Sequence, residues 1–333
     1  SIHYYKKILN LSSDKVYLNL AKFNIAWNQL AECNLDEGFK NYEVRKEKPL
    51  IKKQVKELIE KYSCKEWQSE NLDNKTIVIL SEQGLGDNIQ FFRYLFWLKD
   101  KFNANIIFHI NKKQSHLFKD TPFNIVSNLD KIKHIDYFIL IMSLPGVYFN
   151  QNQSFPKFVK YIKPNKEINL IWKDRLQKFK KPVIALNWQG DRSFMFDKTR
   201  SIALSNFKNI LNLKKYTFIS LQKGFGSEQI KSNKFENHLT DLSSEIDNGD
   251  KTFEDTIAIL ENVECLITSD TSIAHLAGTL NIKTYLLLSF NPEWRWFIEK
   301  KYNVFYPSIK IIQQDKPGDW RAVFEKVENM IKN

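Results

Sequence analysis

Two short apolar runs in this chain each end in a polar turn that opens a helix. That repeated junction restricts the chain to open α/β sheets. One run, Cys265-Leu266-Ile267, leads into Thr268-Ser269-Asp270-Thr271-Ser272. Ile273, Leu276, Ala277 and Leu280 then recur at helical spacing, so a helix is expected to start near Thr271. Asp270, Thr271 and Ser272 are all residue types that cap helices. Open α/β sheets take ligands at the carboxyl ends of their strands. The N–H groups and dipole of a helix that opens there favour a diphosphate. The alternative is an ordinary strand-cap-helix junction with a satisfied His275.

The other run, Thr76-Ile77-Val78-Ile79-Leu80, enters Ser81-Glu82-Gln83-Gly84-Leu85-Gly86-Asp87. A helix follows with Ile89, Phe92, Leu95, Phe96 and Leu98 on its apolar face. Further strands are expected at 105–110 and 137–144, a loop at 150–166 and a helix at 168–179. A second series has strands at 182–188, 216–221, 265–268 and 284–288. Helices lie between them, one at 253–260, and a closing helix spans 320–331. Before all of this, Leu18, Ala21, Ile25 and Ala26 mark one helix face. Leu30, Leu35, Phe39 and Tyr42 continue it after a break near Asn34. The predicted organisation is a helical segment at 1–60, an α/β domain at 70–165, a second at 181–315, and the closing helix at 316–333.

Each strand-end turn offers candidate chemistry. Gly84 and Gly86 permit a tight turn and close backbone approach to a ligand. Gln90 stands where a dinucleotide fingerprint needs its third glycine, and no Gly-Lys-Ser/Thr of a P-loop follows. Asp87 is either a capping carboxylate or a general base facing a cleft. Asn187-Trp188-Gln189-Gly190 closes one strand of the second series, followed by a polar loop with Asp191, Arg192, Asp197, Arg200 and Ser201. Gln222 and Lys223 close the next strand. Lys223 and Arg200 are candidate phosphate partners or solvated charges. Gln83, Trp294 and Arg295 are candidate cleft residues. Trp294 and Trp296 either pack an interface or stack on a base or sugar.

Composition removes several classes. The formal net charge is +12, but 38 acidic residues are interspersed, and only seven of the 50 basic residues are Arg. Nucleic-acid readers draw on Arg, so this Lys-rich surface argues against nucleic-acid recognition. The three cysteines, Cys33, Cys64 and Cys265, lie far apart without metal spacing. They read as reduced thiols of a cytoplasmic protein, with peripheral association at the inner membrane as a further expectation. No apolar run suits a transmembrane span, no metal site is expected, and no secretory signal is visible. The chain starts at Ser1 rather than Met, as expected of a fragment or a trimmed chain.

The motifs also resemble a known group. Ala26-Trp27-Asn28-Gln29-Leu30-Ala31 and Asp36-Glu37-Gly38-Phe39 resemble the last repeat of a tetratricopeptide array. Glu82-Gln83-Gly84-Leu85-Gly86-Asp87, Asn187 to Gly190, Leu221 to Gly224, Asp270 to Gly278 and Pro292 to Trp296 resemble, in that order, a bacterial family. It joins such repeats to a domain similar to glycosyltransferase family 9, the heptosyltransferases. The resemblance implies a GT-B fold, two Rossmann-like domains facing across a cleft. The nucleotide sugar would bind the second domain and the acceptor the first.

By the same resemblance Asp87 is the catalytic base, and Asp270, Thr271 and His275 hold the donor. Ser272 replaces the motif's glycine, and Lys223 faces the donor phosphates. Asn187, Gln189, Gly190, Arg200 and Gln222 complete the expected donor site. The implied reaction transfers a sugar to an acceptor hydroxyl with inversion and without metal or cofactor. The acceptor is a glycan, a lipid-linked molecule or a protein, and the N-terminal helices are expected to dock a protein partner without taking part in catalysis. A non-catalytic binding module and a nucleotide-sugar epimerase are the alternatives. Glu82 is the next candidate base should Asp87 be a cap.

Overall fold

A computed structural model of the protein describes residues 2–179, 181–194, 197–297 and 304–332. Ser1 and Asn333, which bound the predicted segments, lie outside them. The chain divides into two units, Ser1–Phe158 with Glu293–Phe305, and Val159–Pro292 with Tyr306–Asn333.

The first unit carries strands β1 (Lys65–Glu66), β2 (Thr76–Leu80), β3 (Asn105–His109), β4 (Asn124–Val126) and β5 (Tyr137–Leu140). Their order is β1-β5-β2-β3-β4, and all pairings are parallel. The second unit carries β6 (Val183–Asn187), β7 (Thr217–Ser220), β8 (Leu239–Asp241), β9 (Cys265–Ser269), β10 (Thr284–Leu288) and β11 (Ile309–Gln313). Their order is β11-β10-β9-β6-β7-β8, again all parallel. Parallel strands are covered on both faces and read as continuous apolar runs. That is why β2, β6, β9 and β10 stood out in the sequence and are buried along almost their whole length. The edge strands β1, β4, β8 and β11 did not. Three of them have only two or three residues, and β11 exposes Lys310, as edges commonly do.

Two predicted elements are corrected. The strand expected at 137–144 ends at Leu140, a 3-10 turn spans Ile141–Ser143, and a helix runs from Leu144 to Asn152. Pro145 sits in the first helical turn, where its missing N–H costs nothing, whereas a central strand would need that donor. The loop at 150–166 therefore starts later. The single helix expected after Asp87 is two, Leu85–Phe91 and Tyr94–Lys101. Between them the buried Arg93 donates from Nε to the Gln90 carbonyl at 2.7 Å and from Nη1 to the Phe305 carbonyl at 2.7 Å. It occupies the carbonyl that Tyr94 N–H would need to continue the first helix.

The N-terminal residues form helices Ile2–Leu11, Lys15–Ala31, Leu35–Tyr42 and Pro49–Tyr62. Ala21, Ile25, Ala26 and Leu30 of the second pack on Leu35, Phe39 and Tyr42 of the third. Gly38 permits that crossing, since a Cβ there would lie 2.8 Å from Leu30 Cγ. These helices belong to the first unit. The segment Glu293–Phe305 belongs there too, although the sequence assigned it to the domain at 181–315. Its rings explain the regrouping: Trp294 lies against Phe39, Tyr42 and Phe91, and Phe305 against Phe91 and Phe155. The closing helix, Arg321–Lys332, packs Val323, Phe324, Val327 and Ile331 into the second core. Among the described residues no helix is long and apolar enough to cross a membrane.

Cys64 and Cys265 are buried and Cys33 is half-exposed. Burial pushes the Cys265 thiol up to about 12 and raises that of Cys64 as well. Thiolate is the reactive form, so the native protein should take up one maleimide at pH 8, on Cys33. Mass spectrometry showing fast modification of Cys265 would contradict this packing.

Candidate functional site

In the first unit the candidate residues lie in the turn that follows β2, the middle strand of its sheet. Gln83 adopts a left-handed conformation, φ +58°, which is uncommon for a residue with a Cβ. Its side chain is held at both ends: Nε2 donates to Tyr42 Oη at 3.0 Å, and Oε1 accepts from Arg295 Nη2 at 3.2 Å. Gly84 caps the helix Leu85–Phe91, in whose first turn Gly86 lies. Asp87 Oδ2 reaches back to accept Gly84 N–H at 2.9 Å, so the capping role exists. The other oxygen, Oδ1, lies 2.7 Å from Arg295 Nε. Arg295 also pairs with Glu293 through Nη1 at 2.5 Å. Asp87 is thus both a cap and half of an ion pair, and each carboxylate oxygen keeps a second lone pair for a proton.

The crevice beside this turn is filled by the protein itself. β2 passes to β3 on one side and has β5 on the other, the arrangement that opens a crevice at strand ends. There Arg45 donates to Glu82 from Nη2 at 2.8 Å and Nε at 3.1 Å, and to Ser143 Oγ from Nη2 at 2.7 Å. Met142 N–H donates to Glu82 Oε1 at 2.9 Å. Both side chains are buried, 0% and 2% exposed. Burial disfavours the Arg45 charge, but Glu82 and Glu43 outweigh it and its pKa is raised. Glu82, the next candidate base, thus has both oxygens held by protein donors, Oε1 by Arg45 and Met142 and Oε2 by Arg45. Burial raises the Tyr42 hydroxyl against the pull of Arg295 and Arg45, keeping it a neutral phenol. Trp294, expected at a cleft, is 2% exposed within the rings named above. It packs.

In the second unit the loops after β6, β7 and β9 are joined through amides. Asn187 Nδ2 donates to Gln222 Oε1 at 2.9 Å, which also accepts the Trp188 and Gln189 backbone N–H groups. Gln222 Nε2 donates to the Gln189 and Phe225 carbonyls. Gln222 is thus spent on the loops rather than left for a ligand. Asn187 Oδ1 accepts from Thr271 Oγ1 at 3.0 Å and lies 3.3 Å from Thr268 Oγ1, which donates to the Ser269 carbonyl at 2.9 Å. Thr271 is the N-cap of helix Ser272–Leu280, but its hydroxyl makes no bond to that helix. Asp270 is buried in the same turn, and Ser272 is the first helical residue.

The other predicted residues lie apart from this network. Lys223 Nζ donates to the Ile246 carbonyl, and to Asn248 Oδ1 at 2.7 Å. Arg200 Nε donates to Asp197 Oδ1 at 3.0 Å, and Asp197 Oδ2 accepts from Ser201 Oγ at 2.8 Å. That loop folds over Gly190, where a Cβ would lie 2.4 Å from Asp197 Oδ1. His275 Nδ1 lies 3.3 Å from Tyr306 Oη. Gly278 admits Tyr306, since a Cβ there would meet its ring at 2.5 Å. The sequence missed Arg45 and Tyr306, because neither sits in a local motif.

Comparison with known proteins identifies the fold. No protein-family model matches the chain. Among solved structures it is similar to a glycosyl transferase family 9 protein from Veillonella parvula, with a TM-score of 0.52 and 12% identity, covering 79% of this chain and 91% of that one. The chain has the family 9, GT-B-like fold. It is also similar to TibC, an iron-containing dodecameric glycosyltransferase from enterotoxigenic E. coli, with a TM-score of 0.50 and 10% identity over 76% of this chain and 67% of that one. Among curated proteins it is similar to protein FlbA of Caulobacter vibrioides, 21% identical over 297 residues, 80% of this chain and 48% of FlbA. The chain spans about half the length of that relative. The family 9 fold accounts for the two parallel sheets that the sequence motifs implied.

Proposed function

We propose that the chain is a glycosyltransferase moving a sugar from a nucleotide-sugar donor to an acceptor hydroxyl. The observation that carries the reading is Asp87, a carboxylate in the first turn of the helix that follows the central strand β2 in a family 9 fold. Asp87 takes the proton of the acceptor hydroxyl as that oxygen bonds to the anomeric carbon. The bond from that carbon to the donor phosphate breaks, its electron pair leaves with the nucleoside diphosphate, and the carbon inverts. The first turn of helix Ser272–Leu280 receives the diphosphate charge. Lys223 adds to it by exchanging its contacts to Ile246 and Asn248 for phosphate oxygens. These groups replace the metal that other transferases use.

The exposed Tyr4, Leu11, Val16, Tyr17 and Leu20 of the N-terminal helices support a protein-docking face. The function is tested by incubating the chain with a panel of nucleotide sugars and acceptor hydroxyls, with and without chelator, and assaying free nucleoside diphosphate. Acceptor-dependent release that survives chelation is expected. Donor consumption without any acceptor would point to an epimerase, and no binding or release with any donor to a non-catalytic module. Loss of turnover with chelator and recovery with magnesium would overturn the metal-free mechanism.

A further inference from the structure

We propose that Asn187 is a positioning residue that holds the Thr271 hydroxyl away from the helix it caps, and so keeps that helix end open to an anion. The inference rests on the reading that helix Ser272–Leu280 receives the donor diphosphate. A helix leaves its first N–H groups without intrahelical partners, and a threonine at the N-cap ordinarily satisfies one with its own side chain. Here Thr271 has the extended backbone of a cap, φ −137° and ψ 172°, yet makes no side-chain cap bond. Its hydroxyl proton goes instead to Asn187 Oδ1 at 3.0 Å.

Asn187 is fixed in that role. It ends β6, which lies between β7 and β9 in the sheet. Its Nδ2 is anchored on Gln222 Oε1, which also holds two backbone N–H groups of the loop after β6. Asn187 is 3% exposed, so its amide is committed to protein partners rather than to a ligand. Two residues before the cap, Ser269 Oγ is buried with no hydrogen-bond partner. The turn therefore withholds a cap and leaves a buried hydroxyl unspent, as expected of a place that a ligand completes.

The test uses inorganic pyrophosphate, which probes the anion site whatever the nucleotide base. Asn187→Leu removes the acceptor, which frees Thr271 to cap its own helix. Pyrophosphate affinity in calorimetry should fall by up to roughly tenfold, the scale of an N-cap bond. Adding Thr271→Val to Asn187→Leu removes the competing cap and should restore most of the lost affinity. A role confined to loop structure predicts no such restoration, so a double variant as weak as the single one overturns the proposal. Asn187→Ala is measured in parallel; loss of fold in both single variants would assign Asn187 to structure alone and also overturn it. Equal affinity of wild type and Asn187→Leu would sink the positioning role while leaving the anion site standing. Absence of pyrophosphate binding by the wild-type chain would remove the anion site itself, and this inference with it.

Discussion

Arg45→Met is expected to cost about 3–5 kcal/mol of stability, the range for stranding one member of a buried ion pair. Glu82 would keep only Met142 N–H for a carboxylate that is 2% exposed. Replacing both partners removes the stranded charge, so Arg45→Met with Glu82→Leu should recover most of the loss. Denaturant melts of the two single variants and the double one give the coupling directly. A single-variant loss below about 1 kcal/mol would show that water reaches Glu82. The same cluster gives a pH prediction. Burial works to raise the Glu43 carboxyl, but Arg45 and Lys46 prevail and hold it below its ordinary value. Its contribution is present above the unfolded-state pKa and is lost as pH falls through the folded one. Acid unfolding of Arg45→Met should therefore begin at higher pH than in wild type. Deleting residues 1–45 removes Arg45, Phe39 and Tyr42 together. It is expected to unfold the first unit, not to trim a detachable platform.

Asp87→Asn should lower turnover by roughly 10²–10⁴-fold, the usual contribution of a general base, with donor affinity close to wild type. The amide can still accept the Gly84 N–H that Oδ2 accepts at 2.9 Å. It cannot answer the Arg295 charge 2.7 Å from Oδ1, so a stability loss on the order of 1–3 kcal/mol accompanies it. Asp87→Ala also forfeits the cap and should lose about 1 kcal/mol more. The two roles separate in the kinetics. A carboxylate that only caps and pairs predicts stability losses in both variants with turnover preserved per folded molecule. Retained turnover in Asp87→Asn would move the base elsewhere, with Glu82 of the same turn the next candidate, although Arg45 and Met142 hold its oxygens.

The sequence alone determined the parts that local physics governs. A strand buried on both faces must be a continuous apolar run, and a helix start must offer a capping residue and then apolar positions at helical spacing. Those demands exposed β2 with its Gly84-to-Asp87 turn and β9 with its Thr271 cap, and the motif order implied the two-sheet fold. Tertiary structure alone decided what each turn touches. Arg45 and Glu82, Asp87 and Arg295, and Asn187 with Gln222 and Thr271 are distant in the chain and meet only when the sheets assemble. Charge and hydrogen-bond complementarity has no period and acts only across short distances in a desolvated interior. A reading of neighbours along the chain therefore found Asp87, Gln222 and Lys223, but could not see that Arg295 pairs with the first or that protein groups hold the other two.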